Sequence, residues 1–142
     1  MNIIAFDPGE TTGVARAKLT GPRTYELIDV AQITWDKRFE QTWNFLLDPE
    51  VHCGMVIAED FRLYASAAQH LINNMFPAVK VIGAIEAFAW MLNIPVHLEP
   101  PASRMNVTIP DIDAPALVDM KHARDAYRHL RYWVLVHGKE HF

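Results

Sequence analysis

The chain opens with a short apolar run, residues 2–7 (NIIAFD), that stops at Asp7-Pro8-Gly9. Such a run before a Pro-Gly pair predicts a strand and a turn. Residues 12–19 (TGVARAKL) alternate roughly and residues 24–33 (TYELIDVAQI) more clearly, with a turn expected at Gly21-Pro22 between them. Alternation at period two predicts strands, so the N-terminal part reads as a three-stranded antiparallel meander. Residues 36–47 bring Phe39, Trp43, Leu46 and Leu47 to helical spacing, with Asp36 at the N-terminal end.

Residues 53–60 (CGMVIAED) are nearly all apolar and end in Glu59 and Asp60. That is the pattern of a central strand buried on both faces, with charge where it leaves the core. Beyond Tyr64 the pattern is helical to about Asn93, with an interruption expected at Pro77. Within it, residues 81–94 are apolar at 11 of 14 positions. A helix this apolar has no solvated face, so it lies between layers of its own domain or meets a partner chain. Residues 95–99 predict a further short strand. Residues 100–118 hold Pro100, Pro101, Pro110 and Pro115 and read mostly as loop. A last helix is expected over residues 119–136, with Ala123, Ala126, Tyr127, Leu130, Trp133 and Val134 on its buried side. This order predicts an α/β layered domain on a mixed sheet.

Composition narrows the class. The chain has 142 residues, 51% apolar and 21% charged, which suits one globular domain spanning residues 1–142. No apolar stretch is long enough for a transmembrane helix, and the N-terminus lacks the basic leader and cleavage site of a signal peptide. The single cysteine, Cys53, excludes a disulfide framework and a thiolate zinc cluster. It is expected inside a strand, and a reduced, cytoplasmic setting fits. The net charge of −4 by itself counts against a nucleic-acid binder, because neutralising phosphate takes Lys and Arg. A cluster of metal-binding carboxylates would lower net charge without touching a binding face, and bound cations would reverse the local sign.

The chemistry-bearing residues sit at strand ends. Asp7 closes the first strand inside D-P-G-E-T-T-G, and Glu59 closes the apolar strand. His122 and Asp125 stand three apart on the last helix and share one face. Each alone has an ordinary explanation: a turn former, an acid leaving the core, a solvated helix pair. Together they converge, because parallel strands end at one edge of a sheet and ligand sites form there. Clustered carboxylates repel unless a divalent cation relieves them. Mg²⁺ prefers such oxygen ligands and keeps waters and substrate phosphates in its shell, and two such ions serve phosphodiester hydrolysis.

The residues I-I-A-F-D-P-G at 3–9 with Gly13, then Ile57-Ala58-Glu59, then His122-Ala-Arg-Asp125-Ala-Tyr resemble, in that order, the RuvC family of Holliday junction resolvases. The resemblance covers most of the chain and is carried by the acid and histidine positions. It implies an RNase H-like fold and a structure-selective endonuclease that cuts four-way DNA symmetrically as a homodimer. It implies that Asp7 bridges two metal ions, Glu59 binds one, Asp125 binds the other, and His122 is a ligand or assists the water. The ions would be Mg²⁺, with Mn²⁺ favoured by an imidazole ligand. Asp60 and Asp119 are possible additional ligands. The apolar Ile82-Gly83-Ala84-Ile85 stretch resembles the family's dimer-forming region, which places residues 81–94 in an interface. Two-fold symmetric DNA asks for two symmetric sites, and an isologous dimer supplies them. The short length suits a compact, phage-type version. The acidic net charge departs from the basic character of junction binders.

Further DNA contacts are expected from Phe61, Arg62 and Tyr64, where an aromatic could stack on a splayed base, and from Lys121, Arg124 and Arg128 flanking His122 and Asp125. Lys37, Arg38, Lys80, Arg104 and Arg131 extend the basic residues available for a phosphate track. A core Phe61, a surface Tyr64 and a solvated helix face are the plain counterparts of these readings. Three rivals remain. The D-x-G-x-T-x-G turn also opens sugar kinases and actin-like ATPases, which need more than twice this length and a second phosphate loop. An RNA-directed nuclease of the YqgF type shares the opening, and a non-catalytic DNA-binding module could keep the fold.

Overall fold

The computed structural model describes residues 1–61 and 76–141. Five strands form one sheet: β1 (Asn2–Asp7), β2 (Thr12–Gly21), β3 (Thr24–Ile33), β4 (Cys53–Glu59) and β5 (Val96–Glu99). Their order is β3-β2-β1-β4-β5. The first three pair antiparallel, whereas β4 runs parallel to β1, and β5 parallel to β4. This is the mixed sheet expected from the hydrophobic pattern. The three described helices are α1 (Arg38–Leu47), α2 (Pro77–Met91) and α3 (Lys121–His137).

The apolar run in β1 serves two cores at once. Ile3 and Ala5 face α3, in a cluster with Ala15, Ala17, Met55, Ile57, Ala123, Ala126, Tyr127, Leu130 and Trp133. Ile4 and Phe6 face the opposite layer, with Val14, Val56, Ala58, Leu46 of α1, and Val81, Ile85 and Ala89 of α2. A strand covered on both sides has no position for a polar residue until it ends. Side chains alternate along a strand, so Asp7, Glu59 and Glu99 share the parity of Ile3, Ala5, Met55 and Ile57 and lie on the α3 side.

Several boundaries differ from the sequence reading. The turn after β2 falls at residues 22 and 23, because Gly21 still pairs with Thr24. The helical pattern expected before Pro77 falls on residues 62–75, outside the described residues; the part after it is α2, and Pro77 is its first residue. In that first turn a missing backbone N–H costs nothing. The apolar segment 81–94 is not buried all round within the chain. Val81, Ile82, Ile85 and Ala89 are buried, whereas Trp90 is 80% and Met91 62% exposed. α2 ends at Met91, and α3 begins at Lys121, after Asp119 has taken a positive φ of 60°. The proline-rich stretch contains two 3-10 turns, Pro101–Asn106 and Ala114–Leu117. Among the described residues, no helix is long and apolar enough to cross a membrane.

Candidate active site at the strand ends

Asp7 ends β1 and pairs with Gly13 of β2. Gly13 carries the close approach of α3. A Cβ placed on it would lie 1.8 Å from the backbone oxygen of His122. Gln32 of β3 completes the junction: its side-chain oxygen accepts from the backbone N–H of His122 at 3.0 Å and of Ala123 at 3.4 Å. The first N–H groups of a helix lack partners within it, and Gln32 satisfies two of them where no local capping side chain does. This places the first turn of α3 over the end of β1. His122 Nδ1 consequently stands 3.5 Å from Asp7 Oδ2.

Glu59 ends β4, in register with Glu99 at the end of β5. Arg104, on the 3-10 turn after β5, donates to Glu59 Oε2 and places its Nε 3.9 Å from Asp125 Oδ1. Arg128 reaches Asp125 Oδ1 at 3.5 Å. His129 lies between the two glutamates, with Nε2 2.7 Å from Glu59 Oε2 and Nδ1 2.7 Å from Glu99 Oε2. His122, Asp125 and His129 are three and four residues apart, one stripe of α3 that faces the acids.

The electrostatics follow from crowding. Asp7 is 8% exposed, and its carboxyl is pushed up to about 7 by burial, then by the charges of Glu59 and Asp125. Burial works to raise Glu59 as well, yet hydrogen bonds from His129 and Arg104 hold it below its ordinary value. Burial alone would lower His129, but its bonds to Glu59 and Glu99 push it up to about 9. Three strand-end carboxylates and Asp125 of α3 thus crowd together, and protein cations answer them in part.

Asp7, Glu59, His122 and Asp125, singled out in the sequence, are brought to this edge together. The DNA-contact candidates are scattered. Lys121 is exposed at the start of α3, Arg124 donates to the Leu117 carbonyl at 3.3 Å, and Arg128 pairs with Asp125. Phe61 packs its ring 5.2 Å from that of Phe76, while Arg62 and Tyr64 lie outside the described residues. Lys37, Arg38 and Lys80 belong to the layer of α1 and α2, on the far face of the sheet. Asp119 is exposed on the turn before α3, and Asp60 follows β4, its N–H bonded to the Glu99 carbonyl at 2.7 Å.

Glu99 and His129 were missed as site residues. Two signals pointed to them: an acid closing a short apolar strand, as Glu59 does, and a histidine one further turn along the stripe of His122 and Asp125.

No protein-family profile and no curated protein matches the chain. Solved structures do. RuvC of Thermus thermophilus, in complex with a Holliday junction substrate, superposes with a TM-score of 0.72 at 12% identity, covering 99% of this chain and 96% of that one. The fowlpox virus Holliday junction resolvase matches with a TM-score of 0.65 at 19% identity, covering 94% and 97%. The yeast mitochondrial Holliday junction resolvase matches with a TM-score of 0.63 at 12% identity, covering 99% and 80%. At these identities the likeness establishes the fold: the RNase H-like fold of RuvC-type resolvases.

Proposed function

We propose that the chain, as one nuclease domain over residues 1–142, is a metal-dependent endonuclease that resolves four-way DNA junctions as a homodimer. One observation carries this reading. Three carboxylates meet at one place, Asp7 and Glu59 at the ends of β1 and β4 and Asp125 on α3 above them, and next to burial the charges of Glu59 and Asp125 raise the Asp7 carboxyl. The shared fold supports this choice of substrate class, because the matching structures are junction resolvases.

The donor set suits a hard divalent cation: oxygen ligands, partly buried, with negative charge left over. Among the described residues no three acidic, histidine or cysteine side chains close into a ready-made cage, and Arg104 stands between Glu59 and Asp125. An incoming cation would compete with that guanidinium. Asp7, Glu59 and Asp125 would hold the metal, with His122 beside Asp7. Bound divalent ions supply an activated water and charge stabilisation at the leaving oxygen.

The chain's own residues do the rest. His122, 3.5 Å from Asp7 and partly exposed, is placed to take or give a proton at the rim. Arg104 and Arg128, once drawn off the carboxylates, can meet phosphate oxygens, and Lys121 already faces solvent. The exposed Trp90 and Met91 of α2 offer an apolar surface to a second copy.

The test is incubation of the purified protein with a synthetic four-way junction, a linear duplex and an RNA–DNA hybrid, with and without Mg²⁺ or Mn²⁺. Paired, metal-dependent nicks in the junction are expected. Cleavage of the hybrid with the junction intact would replace this reading with an RNA-directed one, and binding without cleavage would replace it with a structural role.

A further inference from the structure

Glu59 and Glu99 are neighbours in the parallel register of β4 and β5 and lie on the same face of the sheet. Two carboxylates held side by side beneath a helix repel each other. His129 separates them, wholly buried, with one ring nitrogen 2.7 Å from each. We propose that His129, anchored from behind by Glu99, is a positioning residue that fixes the orientation of the Glu59 carboxylate for metal binding. The inference rests on the reading of Glu59 as a metal ligand.

The direction of the hydrogen bond to Glu59 follows from the geometry. An ionised Glu59 is acceptor-only, so Nε2 must carry the proton that it donates. Nδ1 meets Glu99, which either accepts from a doubly protonated ring or, holding a proton itself, donates to a neutral one. In both cases Nε2–H points at Glu59. Arg104 donates to the same oxygen, Oε2. Both donors therefore engage one oxygen of the carboxylate, and Oε1 takes part in neither bond. A carboxylate held through one oxygen offers the other in a set direction, as the outer partners of metal ligands do elsewhere.

The arrangement is costly for the fold. A buried ionic chain is often no more stable than well-packed apolar residues of similar volume. Glu99 is 1% exposed, and its second oxygen, Oε1, is buried without a hydrogen-bond partner. The His97 ring nitrogen Nε2 stands 3.9 Å from it, beyond hydrogen-bonding reach. Filling space between β5 and α3 would not call for this pair. Orienting Glu59 does.

The test measures Mn²⁺ binding without DNA, by the electron paramagnetic resonance signal of free Mn²⁺, for wild type, His129→Leu and His129→Gln. Melting by circular dichroism runs alongside. His129→Leu fills the volume without a donor and is expected to weaken Mn²⁺ binding by roughly 10–100-fold while still melting cooperatively. His129→Gln, which can reach Glu59 with an amide N–H, is expected to recover most of that loss. A folded His129→Leu that binds Mn²⁺ as tightly as wild type overturns the proposal. The ¹⁵N spectrum of the wild-type histidine ring checks it without any variant: Nε2 is expected to be protonated, and a bare Nε2 overturns it. Absence of Mn²⁺ binding by wild type would overturn the metal-ligand reading of Glu59 and this proposal with it. Intact binding in His129→Leu would remove only the positioning role.

Discussion

Gly13 of β2 lies directly beneath the backbone of His122, so that a Cβ at Gly13 would fall 1.8 Å from the His122 carbonyl oxygen. No side chain can give way there, because the obstacle is backbone. Gly13→Ala is therefore expected to push the first turn of α3 off β2, separating His122 from Asp7. We expect a stability loss of about 1–3 kcal/mol, as for overpacked positions, in a urea titration, and a larger loss of cleavage than stability alone explains. Unchanged stability would show that α3 is not seated on Gly13.

Gln32 caps the same turn through its side-chain oxygen. Loss of a helix cap typically costs about 1 kcal/mol. Gln32→Ala should lose about that much, and Gln32→Glu, which keeps an acceptor oxygen, should lose less. Denaturant midpoints of the two variants decide the matter, and equal losses would rule out the capping role.

Asp7 is the most buried of the three carboxylates assigned to the metal. Asp7→Asn should lower junction cleavage by several orders of magnitude while junction binding in the absence of metal stays equal or tightens, because repulsion towards phosphate falls. Gel-shift and cleavage assays on one preparation separate the two effects. Wild-type cleavage by this variant would remove Asp7 from the site.

The same residue sets a pH dependence. Folded Asp7 titrates at about 7, whereas the unfolded chain releases that proton near the ordinary aspartate value of about 4. Between the two the folded state holds the extra proton, so this group's contribution to stability falls as pH rises from about 4 to about 7 and is level above that. His129 adds to the slope at higher pH. Its folded value of about 9 lies above the unfolded value of about 6.5, so its contribution is complete below the latter and lost as pH rises through the former. Without divalent ions, Asp7→Asn should melt a few degrees above wild type near pH 8, with the difference closing towards about pH 4. Melting curves that coincide at the higher pH would show that charge on Asp7 carries no such penalty.

Trp90, 80% exposed on α2, is the largest apolar side chain on that surface. In the proposed dimer it is covered by the second copy. Trp90→Glu should shift sedimentation from dimer towards monomer at micromolar concentration and convert paired nicks into single ones. A variant that stays dimeric would move the interface elsewhere.

Much of this architecture was legible in the chain itself. Period-two alternation in residues 12–19 and 24–33 marked the strands of the meander. The apolar run of β4 marked a strand covered on both faces, that of β1 a strand before a turn, and their terminal acids marked the edge where a site could form. These are local signals, written in the spacing of side chains along an extended backbone. Pro77 marked a helix boundary, and α2 begins there because a proline is tolerated in the first turn of a helix. Which side of α2 would be left exposed was not legible, because so few polar residues interrupt its apolar positions to orient it.

What the sequence alone determined was the sheet, its two cores and the placement of Asp7, Glu59, His122 and Asp125 on elements that could meet. Only the tertiary structure decided what completes them. The pairing of Glu59 with Glu99 depends on parallel register between strands 40 residues apart along the chain. The place of His129 depends on the seating of α3, which Gly13 and Gln32 fix from two other strands. Register and seating are set by contacts among distant segments, and no single stretch of the chain carries them.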